Sequence, residues 1–136
     1  MQTDLHHFQI NIQAANIPFY KDLFSFLGWN TIYADDGMLG VVGKSGVSVW
    51  FAGGAKKVSN DYDGPGMNHI SIGTKTQGEV DETSAYLKEH GVEWLFETPR
   101  HRPDFVSNEA STYYQVMFES PDRILFEVVY TGPKDA

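Results

Sequence analysis

Cysteine is absent from this chain, and with it go a disulfide framework, thiolate metal sites and any cysteine nucleophile. That absence suits a reducing cytoplasm. Basic residues are few: 10 Lys and Arg stand against 18 Asp and Glu, for a net charge of -8. Apart from "RHR" at Arg100 to Arg102 they are scattered, so the surface repels a phosphate backbone and nucleic acid is not an expected partner. Long apolar runs are also lacking. Nothing approaches the length of a membrane-spanning helix, and "MQTDLHHFQI" has no basic region ahead of an apolar stretch, so neither a signal peptide nor a membrane partner is expected and the chain reads as cytoplasmic.

What is present is 136 residues, 41% of them hydrophobic, enough for one compact domain with a real core. The chain looks doubled. "HFQINI" alternates Phe8, Ile10 and Ile12 with Gln9 and Asn11, the period of a half-buried strand. A helix follows, with Asn16 as cap, Pro18 in the first turn, an apolar face of Tyr20, Leu23, Phe24 and Leu27, and Gly28 at its end. Phe19, Tyr20, Phe24 and Phe26 read as helix and core residues. Three short strands come next, around Asn30 to Tyr33, Met38 to Val42 and Val47 to Phe51.

After a linker over residues 54–66 the same order returns. "MNHISIGT" alternates as "LHHFQINI" does, Thr76 and Glu79 form a capping box, Val80, Thr83, Ser84 and Leu87 make a modest helix face, and Gly91 closes it. Strands are expected near Val92 to Phe96, Thr112 to Phe118 and Ile124 to Tyr130. His7 and His69 lie 62 positions apart and Gly28 and Gly91 lie 63 apart, but Trp50 and Glu127 are 77 apart. The second half therefore carries an insertion, placed at "RHRPDFVSNEAS". The expected architecture is α+β: a single domain over residues 1–136, built of two β-α-β-β-β modules at about 5–53 and 67–131.

Strand parity then sorts the side chains. With Phe8, Ile10 and Ile12 turned to the helix, His7, Gln9 and Asn11 take the opposite, open face, and His6 falls on the helix side or the frayed strand start. With Ile70 and Ile72 turned to the helix, His69 and Ser71 take the open face. In "ILFEVVY" the row of Ile124, Phe126, Val128 and Tyr130 leaves Leu125, Glu127 and Val129 opposite, and an acid there is anomalous because a buried carboxylate costs several kcal/mol unless it is met by a donor or a positive charge. Two imidazoles and a carboxylate are the donor set of a mononuclear metal with open coordination positions. The competing reading makes the histidines ordinary strand-end residues and pairs Glu127 with Arg100, Arg102 or Arg123.

The stretches "HHFQINI", "FYKDLFSFLGW", "MNHISI", "YLKEHGVE" and "YYQVMFESPDRILFEVV" together resemble the vicinal oxygen chelate superfamily, which includes glyoxalase I, extradiol dioxygenases, fosfomycin-resistance transferases and bleomycin-resistance proteins. The resemblance spans nearly the whole chain. It implies paired modules forming a cup-shaped mixed sheet with the helices outside, around one divalent ion (Fe, Mn, Ni or Zn) that chelates vicinal oxygens of a small-molecule substrate. It also implies a homodimer. The family's ligand positions fall on His7, His69 and Glu127; a fourth, glutamate in glyoxalase I, falls on Trp50, which can neither ligate nor act as a base. The family's final turn is acidic-Pro-Asp-Gly, where this chain has "SPDR".

Trp50, Tyr113, Gln115 and Met117 share the open-face parity. Of these Trp50 and Tyr113 are the pocket candidates, with His101 and Arg102 from the insertion as substrate contacts and Glu127 and Tyr113 as catalytic candidates. His90 reads as a surface residue. The function expected is a metal-dependent glyoxalase- or dioxygenase-like enzyme; the alternative is a metal-free drug-binding protein of the bleomycin-resistance type.

Overall fold

A computed structural model describes residues 1–134 and divides the chain into two compact units, residues 1–59 and 60–136. Each unit is one β-α-β-β-β module. In the first, β1 (His7–Asn11) leads through a short 3-10 turn into α1 (Ile17–Phe26), followed by β2 (Asn30–Ala34), β3 (Met38–Val42) and β4 (Ser48–Ala52). The second repeats the order with β5 (His69–Thr74), α2 (Gln77–Glu89), β6 (Leu95–His101), β7 (Ser111–Glu119) and β8 (Leu125–Pro133). Their sheets have equivalent strand orders, β1-β4-β3-β2 and β5-β8-β7-β6, each with one parallel pair at the β1 or β5 edge and antiparallel pairs elsewhere. Among the described residues no helix is long and apolar enough to cross a membrane.

Each sheet buries the face its helix covers. In the first unit Tyr20, Leu23 and Phe24 of α1 are fully buried with Leu39, Val49 and Phe51, and Tyr20 stacks on Phe51 at 4.4 Å. Burial on this scale stabilises by about 2 kcal/mol per large side chain. Phe26 differs from its expected core place: it lies on the far side of α1 and is exposed. Asn16 stands at the helix N-cap, but its side chain makes no capping bond, because the preceding 3-10 turn has put its own backbone in the helical region. In the second unit Val80, Thr83, Ser84 and Leu87 are buried as the spacing predicts, and the Thr76/Glu79 capping box is complete. Both helices end at a glycine with positive φ, Gly28 at 86° and Gly91 at 72°, a conformation that a side chain would strain.

The largest departure from the sequence pattern is β6. It begins at Leu95 rather than Val92 and runs on into the stretch expected to be an inserted loop. Leu95 pairs with Met117 and Arg100 with Gln115, so residues 96–99 bulge out opposite Val116 alone. Thr98 seals the bulge, its hydroxyl donating to Leu95 O and accepting from Met117 N. Phe96 and Glu97 are driven to φ 56° and 61°, sparsely populated for residues with a side chain. In the final turn Arg123 takes φ 58° at the place where the resemblance expects glycine, and its guanidinium packs over the Tyr62 ring at 5.3 Å.

Tyr114 ties α2 to β7 by donating its hydroxyl to Asp81 at 2.6 Å. Burial, reinforced by that bond and by the Asp81 charge, pushes the phenol up to about 12. The folded state therefore holds this proton more tightly than the unfolded chain, whose phenols ionise near 10. Stability from this contact is fully present below pH about 10 and is lost as pH rises towards about 12. Chemical unfolding across that window should decline less steeply for Tyr114→Phe than for the parent; identical slopes would remove Tyr114 from the alkaline transition.

Candidate metal centre

Glu127 lies on β8, the second strand of its sheet, between β5 and β7. It is 2% exposed. One carboxylate oxygen, Oε2, accepts from two neutral donors on β7: Tyr113 Oη at 2.8 Å and the side-chain amide of Gln115. Gln115 is oriented in turn, because its carbonyl oxygen accepts from Arg102 Nη1 at 3.2 Å. The other oxygen, Oε1, faces His69 Nε2 at 3.6 Å. None of the three arginines considered as partners for Glu127 pairs with it directly: Arg100 meets Glu97, Arg123 meets Glu119 and Arg102 meets Asp104.

The second nitrogen of His69 determines what Nε2 offers. Asn68 Nδ2 donates to Tyr62 O at 2.9 Å, which turns Asn68 Oδ1 towards His69 Nδ1 at 2.8 Å. An amide oxygen only accepts, so Nδ1 carries the proton and a neutral His69 presents a bare lone pair at Nε2. Lone pairs on a nitrogen and a carboxylate oxygen thus confront each other across 3.6 Å. Two ligands each about 2.1 Å from a shared ion stand about 3 to 3.5 Å apart, so this pair fits a small divalent cation in donor type and stands slightly wider than that spacing.

His7 belongs to the first unit, where it is exposed on the face that parity assigns it, and its Nδ1 lies 2.8 Å from Nδ1 of His6. Strand register supports the equivalence of the modules. Gln9, two residues after His7, pairs with Trp50, and Ser71, two residues after His69, pairs with Glu127. Trp50 therefore occupies the place of Glu127 in its own module; it packs flat over Gly40 and its indole N–H donates to Ser48 Oγ at 3.2 Å. Among the described residues, the His69–Glu127 pair is assembled and no cluster of three or more metal-ligating side chains is found.

A cavity of about 640 Å³ opens over Glu127 within the second unit. Tyr113, Arg102 and His69 line it as expected from their positions, with Met117 and Leu125 as apolar walls. Phe96 and Phe105 also line it, though they are 55% and 53% exposed. Sequence parity missed both, since Phe96 reaches the cavity through the β6 bulge and Phe105 sits on a 3-10 turn; the only signal was the inserted stretch itself. His101 does not join them. It pairs with Tyr114 on the other face, bonds Thr112 Oγ1 through Nδ1 at 2.5 Å, and lines a separate cavity of about 600 Å³.

Tyr113 is held as a neutral donor. Burial first, then the hydrogen bond to Glu127, pushes its phenol up to about 12, so Tyr113 stays a neutral phenol at neutral pH and is a poor base. Arg102 is engaged on several sides: Asp104 binds it through both oxygens, Gln115 takes one N–H, and its guanidinium lies 4.2 Å above the Phe105 ring.

Solved structures match this fold across nearly the whole chain. A candidate glyoxalase of Bacillus halodurans is 25% identical, with 95% of this chain and 96% of that one covered at a TM-score of 0.78. The chain has the fold of the vicinal oxygen chelate superfamily. The fosfomycin resistance protein FosX of Listeria monocytogenes, complexed with Mn(II) and sulfate, is 24% identical over 94% of this chain and 90% of that one, TM-score 0.67. A glyoxylase/bleomycin resistance protein/dioxygenase domain of Frankia sp. EAN1pec shares the fold at 13% identity, TM-score 0.67, over 97% of this chain and 100% of that one. No protein-family model and no curated protein matches the sequence.

The Gln115 amide is the joint of this network. Gln115→Leu should cost about 1–3 kcal/mol in urea unfolding, because it strips a donor from a buried carboxylate and an acceptor from Arg102. An unchanged midpoint would mean that Glu127 is held by something else.

Proposed function

We propose that this protein, with its vicinal oxygen chelate fold, is a metal-dependent enzyme whose ligands include His69 and Glu127 of the second module. One observation carries the reading: a buried carboxylate oxygen faces an imidazole nitrogen whose lone pair is fixed by Asn68, with 3.6 Å between them. Bound there, a divalent ion supplies Lewis acidity, holding neighbouring oxygens of a substrate and stabilising negative charge that develops on them. The chain's own residues do the rest. Tyr113 and Gln115 hold Oε2 and leave Oε1 as the ligating oxygen, while Phe96, Phe105 and Met117 give the substrate an apolar wall.

This wall favours a substrate with a flat, apolar body. Arg102 is the one arginine lining the cavity among the described residues, and Asp104 already neutralises it, so a multiply charged anion gains little there. Trp50, in the register place of Glu127 within its own module, can serve neither as the ligand nor as the base that the resemblance to glyoxalase I would put there. FosX, complexed with Mn(II), makes Mn(II) the first ion to try.

A metal-free binding protein is the second reading, and the same contact favours it in one protonation state. If His69 is an imidazolium, the 3.6 Å approach is an ion pair that neutralises Glu127 with no metal at all.

Elemental analysis and Mn(II) titration of protein purified without chelator separate the two. One metal per chain is expected, with binding by Glu127→Gln weakened at least about 10-fold because the ligating charge is removed while the shape is kept. Absence of uptake of Mn(II), Fe(II), Ni(II) and Zn(II) by the parent would overturn the enzyme reading.

A further inference from the structure

The two candidate ligand histidines share a feature that their strand parity does not explain: each is bonded at Nδ1, at 2.8 Å, by the side chain immediately before it. We propose that His6 and Asn68 are matched positioning residues, each fixing the tautomer of the histidine that follows so that its Nε2 is left bare for ligation. The proposal builds on the metal reading above but concerns these two contacts alone.

In the second module the geometry leaves one choice of proton. The Asn68 amide is locked by its donor bond to Tyr62 O. Tyr62 is itself anchored, since its hydroxyl donates to Glu119 and its ring lies beneath Arg123, which also pairs with Glu119 at 3.6 Å. Asn68 Oδ1 therefore stays turned to His69 and accepts its Nδ1–H. With the opposite tautomer, Nε2 would carry the proton and point it at Glu127, and no lone pair would remain for a cation.

In the first module a different residue makes the same contact. His6 and His7 approach edge to face, ring centres 5.0 Å apart at 77°, with the two Nδ1 atoms in hydrogen-bond range. The His6 backbone is held by β4, its carbonyl accepting from Ser48 N at 3.1 Å. When His7 donates, His6 accepts at Nδ1 with its own proton on Nε2, and His7 Nε2 is free. Strand parity puts His6 on the side away from chemistry, but a neighbour need not share a face to reach Nδ1.

The test uses nitrogen-15 NMR of the metal-free protein with its histidines neutral, alongside Mn(II) titration. The parent should show Nδ1–H forms at His7 and His69. Asn68→Leu and His6→Leu should each convert the adjacent histidine to a mixture of tautomers and weaken Mn(II) binding about 10- to 100-fold. Asn68→Asp and His6→Asn, which restore an acceptor, should recover both properties. Asn68→Asp also lacks the donor to Tyr62, so its recovery separates the contact with His69 from a merely structural role; failure to recover overturns the proposal, as do unaltered tautomers in the leucine variants. If the parent takes up no Mn(II), the metal reading falls, while the tautomers still decide whether His6 and Asn68 position their neighbours.

Discussion

A carboxylate kept inside a sheet is the constraint on which the second module depends. Glu127 sits where β8 is covered by strands on both sides, and an ion in such surroundings must be met by donors or a cation. Two neutral donors on β7 meet Oε2, and the orientation of one is fixed by an arginine that does not touch Glu127 itself. Arg102 thus acts through Gln115, delivering a hydrogen bond to the carboxylate without cancelling its charge. A direct arginine pair would have consumed the oxygen that faces His69.

Duplication explains why the two halves are alike, and register explains where they differ. Equivalent strand orders and equivalent pairing place Trp50 where Glu127 stands. The large indole fills the space over Gly40, a site where even a Cβ would fall 2.6 Å from the ring. One module uses this position for packing, while the other holds a carboxylate there and orients it with neighbouring side chains. The asymmetry is one of position-specific substitution within a common frame.

Much of this was legible in the sequence because it depends on periods. Alternation in "HFQINI" and "HISIGT" set the exposed row of His7 and His69 against the helix-covered isoleucines, and the capping box and closing glycines bounded the helices. What escaped was whatever breaks a period. The β6 bulge moved four residues out of register, turning an expected loop into strand and bringing Phe96 to the cavity. Gln115 had the right parity but no chemical signal, since its importance lies in having Arg102 on one end of its amide and Glu127 on the other. His101 shows the opposite error, a chemically suggestive residue in the right segment whose pairing with Tyr114 turns it to the wrong face.

The bulge also shapes the lining of the cavity. Holding Phe96 and Glu97 at positive φ costs on the order of 1–3 kcal/mol each, and neither residue gains burial in return, since both are exposed. Packing therefore does not account for the strain. Its visible result is an aromatic ring at the cavity, with Phe105 lining the same cavity from the following turn and Glu127 at its base. An exposed pair of aromatic rings beside a fixed carboxylate is unfavourable in water and becomes favourable once a flat apolar group covers it. The bulge at β6 and the orientation of Glu127 thus meet at one cavity, the first placing an aromatic ring in its lining and the second a fixed carboxylate.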